Sequence, residues 1–238
     1  MNNKKYLITG GWGKLGTFLR PLIQNISPQK EEMNILNLSE IEKFVGKNNF
    51  DAIVHLAAIT DQKQAELQKL LTYQVNVIGT RNVAEIAKKN HLKVYFVSTD
   101  YVFPCTKGNY TETDIPSPVN WYGYTKYAAE LEIQNLLNNF CIIRTSFRPS
   151  SWGFKTAYTN VYTSADYTDV IAKEIALCLE LNINGIIHIG TEPKTFYELA
   201  KKRNPDVKPE ECEDPYLPKN RTLEISKLKK ERKRLNSI

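Results

Sequence analysis

The chain has 238 residues, room for one large α/β domain with at most a small appendage, and its 42% hydrophobic and 24% charged residues are those of an ordinary globular protein. Cys105, Cys141, Cys178 and Cys212 are widely scattered and form no Cys-x-x-Cys pair, so neither a zinc site nor a disulfide framework is suggested and reduced thiols in a cytoplasm are expected. The net charge of +6 is concentrated at 226–238, where Lys227, Lys229, Lys230, Arg232, Lys233 and Arg234 face Glu231 alone. With no basic stripe interleaved with aromatics elsewhere, that run reads as a solvated helix, and no nucleic-acid partner is expected. No stretch approaches the roughly 20 apolar residues of a membrane helix, and no signal-peptide core follows Met1, so a cytoplasmic protein without a membrane partner is expected.

Lys5 to Thr9 reads as a short apolar strand running into Thr9-Gly-Gly-Trp-Gly-Lys-Leu-Gly16, with an amphipathic helix expected through Ile26. Gly10, Gly13 and Gly16 are three apart. Between a first strand and a first helix, such glycines let the backbone turn tightly and approach a pyrophosphate, which the amides and positive dipole of the helix start then meet. A dinucleotide fold normally places an acidic residue on a second strand about 20 positions further on. Here 27–33 is polar, only Asn34-Ile-Leu-Asn-Leu38 offers an abbreviated strand, and Glu31 or Glu32 reads as part of a solvated turn. Lys14, Arg20 or Lys30 could pair with a 2′-phosphate, so NADPH is preferred over NADH as the expected cofactor.

Asp51 to Leu56 is a buried strand that ends in Ala57-Ala58-Ile59-Thr60, small residues that admit a cofactor beyond a strand's carboxyl end. His55 inside it reads as a core histidine. The pattern from Gln62 to Asn90 is helical, and Asn76 within it costs helix propensity unless its amide binds something. Lys93 to Val97 is the next strand and delivers Ser98 and Thr99. A proline-marked loop follows at 106–119, then a helix from Tyr122 through Asn138.

Tyr122 and Lys126 lie one above the other on that helix, four residues apart. A positive charge beside a phenol favours its ionised form, so this ammonium is expected to pull the phenol toward neutrality and make it a workable acid. Thr99 could offer its hydroxyl to the same carbonyl oxygen, giving a Thr99, Tyr122 and Lys126 catalytic set. Tyr197 and Lys201 repeat the spacing with no hydroxyl-bearing strand end before them and read as an ordinary surface pair. Phe140 to Arg144 and Gly185 to Ile189 are further strands, Asp166 to Leu181 and Thr195 to Lys202 further helices. Residues 148–163 read as a substrate-side loop and 204–221 as an irregular wrap, and His91 and His188 have no role.

The alternation predicts an α/β fold, a doubly wound, Rossmann-type parallel sheet with a small C-terminal substrate-side lobe. Residues 1–146 form the NAD(P)-binding part, and 147–238 a lobe interleaved with the last sheet elements in a single compact unit.

Assembled, these motifs resemble those of an extended short-chain dehydrogenase/reductase, most closely the dTDP-4-dehydrorhamnose reductase family. The likeness rests on 9–16, His55-Leu-Ala-Ala58, Asn76-Val-Ile-Gly-Thr80, Ser98-Thr-Asp-Tyr-Val-Phe103, Tyr122-Gly-Tyr-Thr-Lys126 and Ile143-Arg-Thr-Ser146. The resemblance implies reduction of a 4-keto nucleotide sugar, with hydride from the nicotinamide and a proton from Tyr122. It implies a cofactor site of Gly10, Gly13, Lys14, Leu15 and Gly16 at the pyrophosphate, Asn34 and Ile35 at the adenine, and Ala57, Ala58, Ile59, Thr60, Asn76 and Val97 toward the nicotinamide. Tyr122 and Lys126 complete that site, and Thr99, Asp100 and Phe147 would contact substrate. Tyr101 stands where related dehydratases carry the glutamate base for water elimination, which favours reduction. Three features depart from the family: the short second-strand region, Lys63 in place of an aspartate, and a short 147–166 segment. The resemblance also suggests a homodimer through helices flanking Tyr122, and leaves two alternatives, a nucleotide-sugar epimerase and a non-catalytic NAD(P)-binding regulatory subunit.

Overall fold

A computed structural model describes residues 4–215 and 217–235; the last three residues of the basic tail lie outside the described residues. Six strands, β1 Tyr6–Thr9, β2 Asn25–Ile26, β3 Ala52–His55, β4 Lys93–Thr99, β5 Phe140–Thr145 and β6 Gly185–Ile189, form one sheet in the order β6-β5-β4-β3-β1-β2. Every neighbouring pair in it is parallel. The strand order reverses between β1 and β3, the point at which open parallel sheets bind ligands beyond their carboxyl ends.

Strand residues alternate between two apolar layers, as a period of two requires. Ile8, Val54, Tyr95, Val97, Ile143 and Ile187 pack with Leu15, Leu19 and helix α7 (Thr168–Glu180) on one face. Leu7, Ile53, Val94, Phe96 and Ile142 pack on the other against α2 (Leu38–Gly46), α5 (Gly79–Lys89) and α6 (Trp121–Leu136). Helix α9 (Ser226–Leu235) closes the first layer through Leu228, 1% exposed, while Lys229 and Arg232 pair with Glu192 and Glu174. The basic tail is therefore a docked element of the fold.

The first crossover departs from expectation. Helix α1 covers only Gly16–Leu19 and runs into a 3₁₀ turn at Arg20–Leu22, because Pro21 cannot donate an amide and fixes its own φ. The chain returns as β2 at Asn25–Ile26, and 34–38, expected as a strand, is turn and helix start instead. Asn34 Oδ1 accepts from Leu36, and Asn37 caps α2 by accepting from Glu40, so these side chains satisfy the local backbone in a way a sheet ladder would forbid. The 62–90 pattern is helical but broken, into α3 (Gln62–Leu67), α4 (Lys69–Tyr73), a π turn at Gln74–Ile78 and α5. The 148–163 and 204–221 segments carry short strands: Thr156–Tyr158 pairs with Lys208–Glu210, and Tyr162–Thr163 sits between Lys194–Thr195 and Asn220–Arg221. With α8 (Phe196–Lys201) they form a small lobe beside the carboxyl ends of β4 and β5.

Candidate active site

At the switch point the glycine turn and the end of β3 nearly touch. Gly10 has a φ of +69°, and a Cβ there would stand 2.6 Å from the Ala57 amide nitrogen, so this crossing admits neither a side chain nor an ordinary L residue. Gly13 donates to Gly10 and Thr17 to Gly13, each at 3.0 Å, which coils the turn onto the start of α1. A cleft of about 450 Å³ opens there, within the usual range for a small-molecule site. Gly10, Gly13, Asn34, Ile35, Ala57, Ala58 and Ile59 line it.

Other residues expected at the cofactor sit differently. Lys14 is exposed at the turn, whereas Leu15 and Gly16 are buried beneath it, Leu15 in the core and Gly16 against the Gly11 carbonyl. Thr60 is exposed past the cleft and Val97 is buried in the sheet. Asn76 is 1% exposed and its amide is fully used: Oδ1 accepts from Ile59 N at 2.8 Å, while Nδ2 donates to Ile59 O and Thr125 Oγ1, each at 3.0 Å. It therefore ties the cleft loop to α6. Trp12, Met33, Leu71 and Val75 also line the cleft and went unnoticed in the sequence, because apolar residues beside a turn look like core. Trp12 donates to Ser27 O and stacks under the Arg20 guanidinium, 3.5 Å from the ring centroid.

His55 is a core histidine. It is fully buried, with Nδ1 2.6 Å from Thr9 Oγ1 and Nε2 2.9 Å from Thr80 Oγ1. Thr80 spends its own proton on Asn76 O, so Nε2 carries the imidazole hydrogen and Nδ1 accepts from Thr9. Burial, then the nearby Lys126 charge, hold its pKa down to about 3, and the ring stays neutral.

Tyr122 and Lys126, also expected at the cofactor, are not among the residues that line the cleft; Asn76 connects Ile59 at its edge to Thr125 of their helix. Helix α6 begins at Asn120, whose side chain accepts from Gly123 N at 2.7 Å, and Trp121 N donates to Glu66. A Cβ on Gly123 would overlap the Tyr101 carbonyl, so this glycine lets the helix press onto the 3₁₀ turn Asp100–Val102 after β4. The glycine in Tyr-Gly-x-Thr-Lys was the signal for that contact. The contact brings Tyr122, 9% exposed, edge-on to Tyr101 with ring centroids 6.4 Å apart, and Thr99, 4% exposed at the end of β4, lies close enough to act on the phenol's pKa. Thr99 donates to Asp100 Oδ1 at 3.2 Å.

The electrostatics differ from expectation. Burial raises the Tyr122 pKa well above its ordinary value, Thr99 pulling it down and the Asp100 and Tyr101 charges pushing it further up. The Lys126 ammonium is not among the groups that shift it. Lys126 is 2% exposed and rests on the Phe96 ring, 3.9 Å from its centroid. Burial lowers its own pKa to about 7, against the opposing attraction of Glu130. The helical spacing placed the two groups on one helix, but the apolar surroundings of each outweigh any pull between them. Of the expected substrate contacts, Asp100 is 1% exposed and ion-paired to Arg221, and Phe147 is half-buried at the end of the sheet. Tyr197 and Lys201 are an isolated pair, the lysine bonding Pro205 O.

Residues 4–161, which contain the whole cleft and the Thr99, Tyr122 and Lys126 set, match the family model described as RmlD substrate binding domain. The chain belongs to the RmlD family. A dTDP-4-dehydrorhamnose reductase of Aggregatibacter actinomycetemcomitans is 32% identical over 180 residues, 72% of this RmlD chain and 61% of that protein, so the chain spans less than two thirds of that relative. The methionine adenosyltransferase 2 subunit beta of Xenopus laevis is 26% identical, covering 83% of this chain and 70% of that one. The crystal structure of the dTDP-4-dehydrorhamnose reductase of Bacillus anthracis in complex with NADP superposes on all of this RmlD chain and 93% of its own, with a TM-score of 0.85 and 27% identity. The expected Rossmann-type sheet is thus the one that relative carries.

Proposed function

We propose that the chain is an NADP(H)-dependent reductase of a 4-keto nucleotide sugar, with Tyr122 as the proton donor. The observation that carries this reading is a buried phenol packed edge-on to the turn that follows β4, with Thr99 at that strand's carboxyl end, in the same fold as a cleft whose glycine crossing admits only backbone. The cleft suits a dinucleotide: Gly10 and Gly13 leave room for a pyrophosphate, the apolar wall of Met33, Ile35 and Val75 suits an adenine, and Ile59 at its edge is tied through Asn76 to Thr125 of the helix that carries Tyr122. A bound dihydronicotinamide would supply hydride to the keto carbon.

The chain's own residues handle the proton. A phenol whose pKa is raised keeps its hydrogen at neutral pH, as a donor must, and the neighbouring Thr99 hydroxyl would meet the same carbonyl oxygen. Donation leaves a phenolate in a buried setting, where a cation is worth far more than in water. Lys126, whose pKa burial lowers to about 7, would hold the cofactor ribose. Asn76 holds Ile59 against α6, which keeps the cofactor loop and the phenol in one frame.

Tyr122→Phe tests the assignment. NADPH should bind as before while NADPH oxidation in the presence of a dTDP-4-keto-6-deoxy sugar falls by roughly 10²–10⁴, the usual contribution of a general acid. Turnover of the variant at the parent rate refutes the role of Tyr122. A non-catalytic regulatory subunit is the second reading, favoured by the similarity to a methionine adenosyltransferase beta subunit. Keto-sugar-dependent NADPH oxidation by the isolated chain disposes of it.

A further inference from the structure

Beside Tyr122 lies a charge arrangement that the proton-transfer chemistry does not use. Asp100 is buried after β4, and two guanidiniums converge on it from the small lobe. Arg221, 5% exposed, comes from the strand Asn220–Arg221, with Nε 3.6 Å from Asp100 Oδ2 and Nη1 donating to the Tyr101 hydroxyl. Arg148 comes from the segment just after β5, close enough to Asp100, Tyr101 and Arg221 for each to act on its charge. One carboxylate therefore faces two cations.

The hydrogen-bonding account is also unbalanced. Arg221 Nε and Asp100 Oδ2 are buried without a hydrogen-bond partner, since their separation exceeds bonding distance. The Arg148 guanidinium makes no hydrogen bond or ion pair among the described residues and lies on the Phe196 ring, 4.3 Å from its centroid. Arg148 is half-buried and shares the Phe196 ring with Arg221, so its charge sits beside a like charge with no carboxylate of its own among the described residues. Stacking on an aromatic ring leaves the edge of a guanidinium, with its forked donors, free for a planar or tetrahedral anion. Tyr101, which Arg221 holds, packs edge-on against Tyr122, so an anion bound there belongs to the same molecule as the carbonyl at the phenol.

We propose that Arg148 and Arg221 form an oxyanion subsite for the substrate, next to the reacting carbonyl and counterbalanced in its absence by Asp100. The proposal rests on the reading of Tyr122 as the reacting phenol and adds the chemical class that the neighbouring pocket takes: the diphosphate of a nucleotide sugar or a carboxylate on the sugar itself. The short 147–166 segment gives it a rationale, since with little polypeptide to cover the ligand, one buried and one half-buried cation supply the grip.

The test is a calorimetric titration of the full chain, saturated with NADP⁺ and without keto sugar, by inorganic pyrophosphate and separately by glucuronate. Because no turnover is needed, the outcome is independent of whether the reductase reading stands, which keto-sugar-dependent NADPH oxidation decides. The expected result is binding of at least one probe that Arg148→Gln weakens about tenfold or more, the value of a charged hydrogen bond. Stronger binding of pyrophosphate assigns the subsite to the diphosphate, and stronger binding of glucuronate to a sugar carboxylate. Absence of binding by the parent chain, or equal binding by Arg148→Gln, overturns the proposal. Should Arg148→Gln fail to fold, Asp100→Asn decides: it removes the internal counter-charge and is expected to tighten the better probe, and unchanged or weaker binding overturns the subsite.

Discussion

Replacing Lys126 by methionine should stabilise the protein while disabling it. The ammonium is buried on Phe96, and its pKa falls from 10.5 to about 7. At about 1.4 kcal/mol per unit, that gap sets an upper bound of roughly 4–5 kcal/mol on the penalty for holding the charge in the folded chain. The ring face returns about 2 kcal/mol of it, so the methionine variant should gain about 2 kcal/mol at pH 6.5. For a chain of this size that raises Tm by roughly 4–8 °C. The pH dependence has a fixed direction. Below pH 7 the lysine is protonated in both states and the penalty is complete. Between 7 and 10.5 the unfolded chain binds more protons than the folded one, so parent stability rises with pH and the gap between the two proteins closes. Thermal unfolding of both proteins without cofactor, from pH 6.5 to 10, reads this directly, and NADPH oxidation should be lost in the variant. A variant that melts below the parent at pH 6.5, or a gap that stays constant to pH 10, refutes the reasoning.

Other substitutions probe the frame around the site. Glu130→Ala strips Arg144 of its only carboxylate partner among the described residues, at 2.7 Å with both groups at most 2% exposed, and leaves Ser98 without its 2.5 Å acceptor. A loss of about 3–5 kcal/mol is expected in urea unfolding. Asn76→Leu removes the bonds to Ile59 and Thr125 and should raise the KM for NADPH more than it lowers kcat, read in initial-rate kinetics. Gly10→Ala forces a side chain into the Ala57 amide at positive φ, so NADPH binding measured by fluorescence should disappear. Leu228→Ala should cost about 2–5 kcal/mol in thermal unfolding, whereas a freely solvated tail would show no change.

What could be read from the residues divides along physical lines. The long strands were legible because Lys93 to Thr99 and Phe140 to Thr145 are apolar runs buried on both faces. The glycine turn was legible because its close crossing leaves glycine as the residue that fits. The place of β2 was not: a two-residue strand has no period, and Asn34-Ile-Leu-Asn-Leu38 offered a better pattern that the Asn34 and Asn37 side chains spoil. The spacing of Tyr122 and Lys126 was legible, but the burial that raises the one pKa and lowers the other was not, since Phe96 and Tyr101 arrive from elsewhere in the chain. Arg221 was invisible for the same reason. It lies 121 positions from Asp100, and a lone arginine in a proline-rich stretch carries no local sign of what it will meet.

The wall of the cleft between Pro28 and Leu36 is coil and turn, outside any sheet ladder and held by side-chain bonds from Glu40 and Asn82 and by Met33 and Ile35 in the core. On the proposed reading, grafting that one segment should exchange preference between the two nicotinamide cofactors, because no ladder registers its length. Coenzyme choice would then be editable separately from substrate choice on a single scaffold.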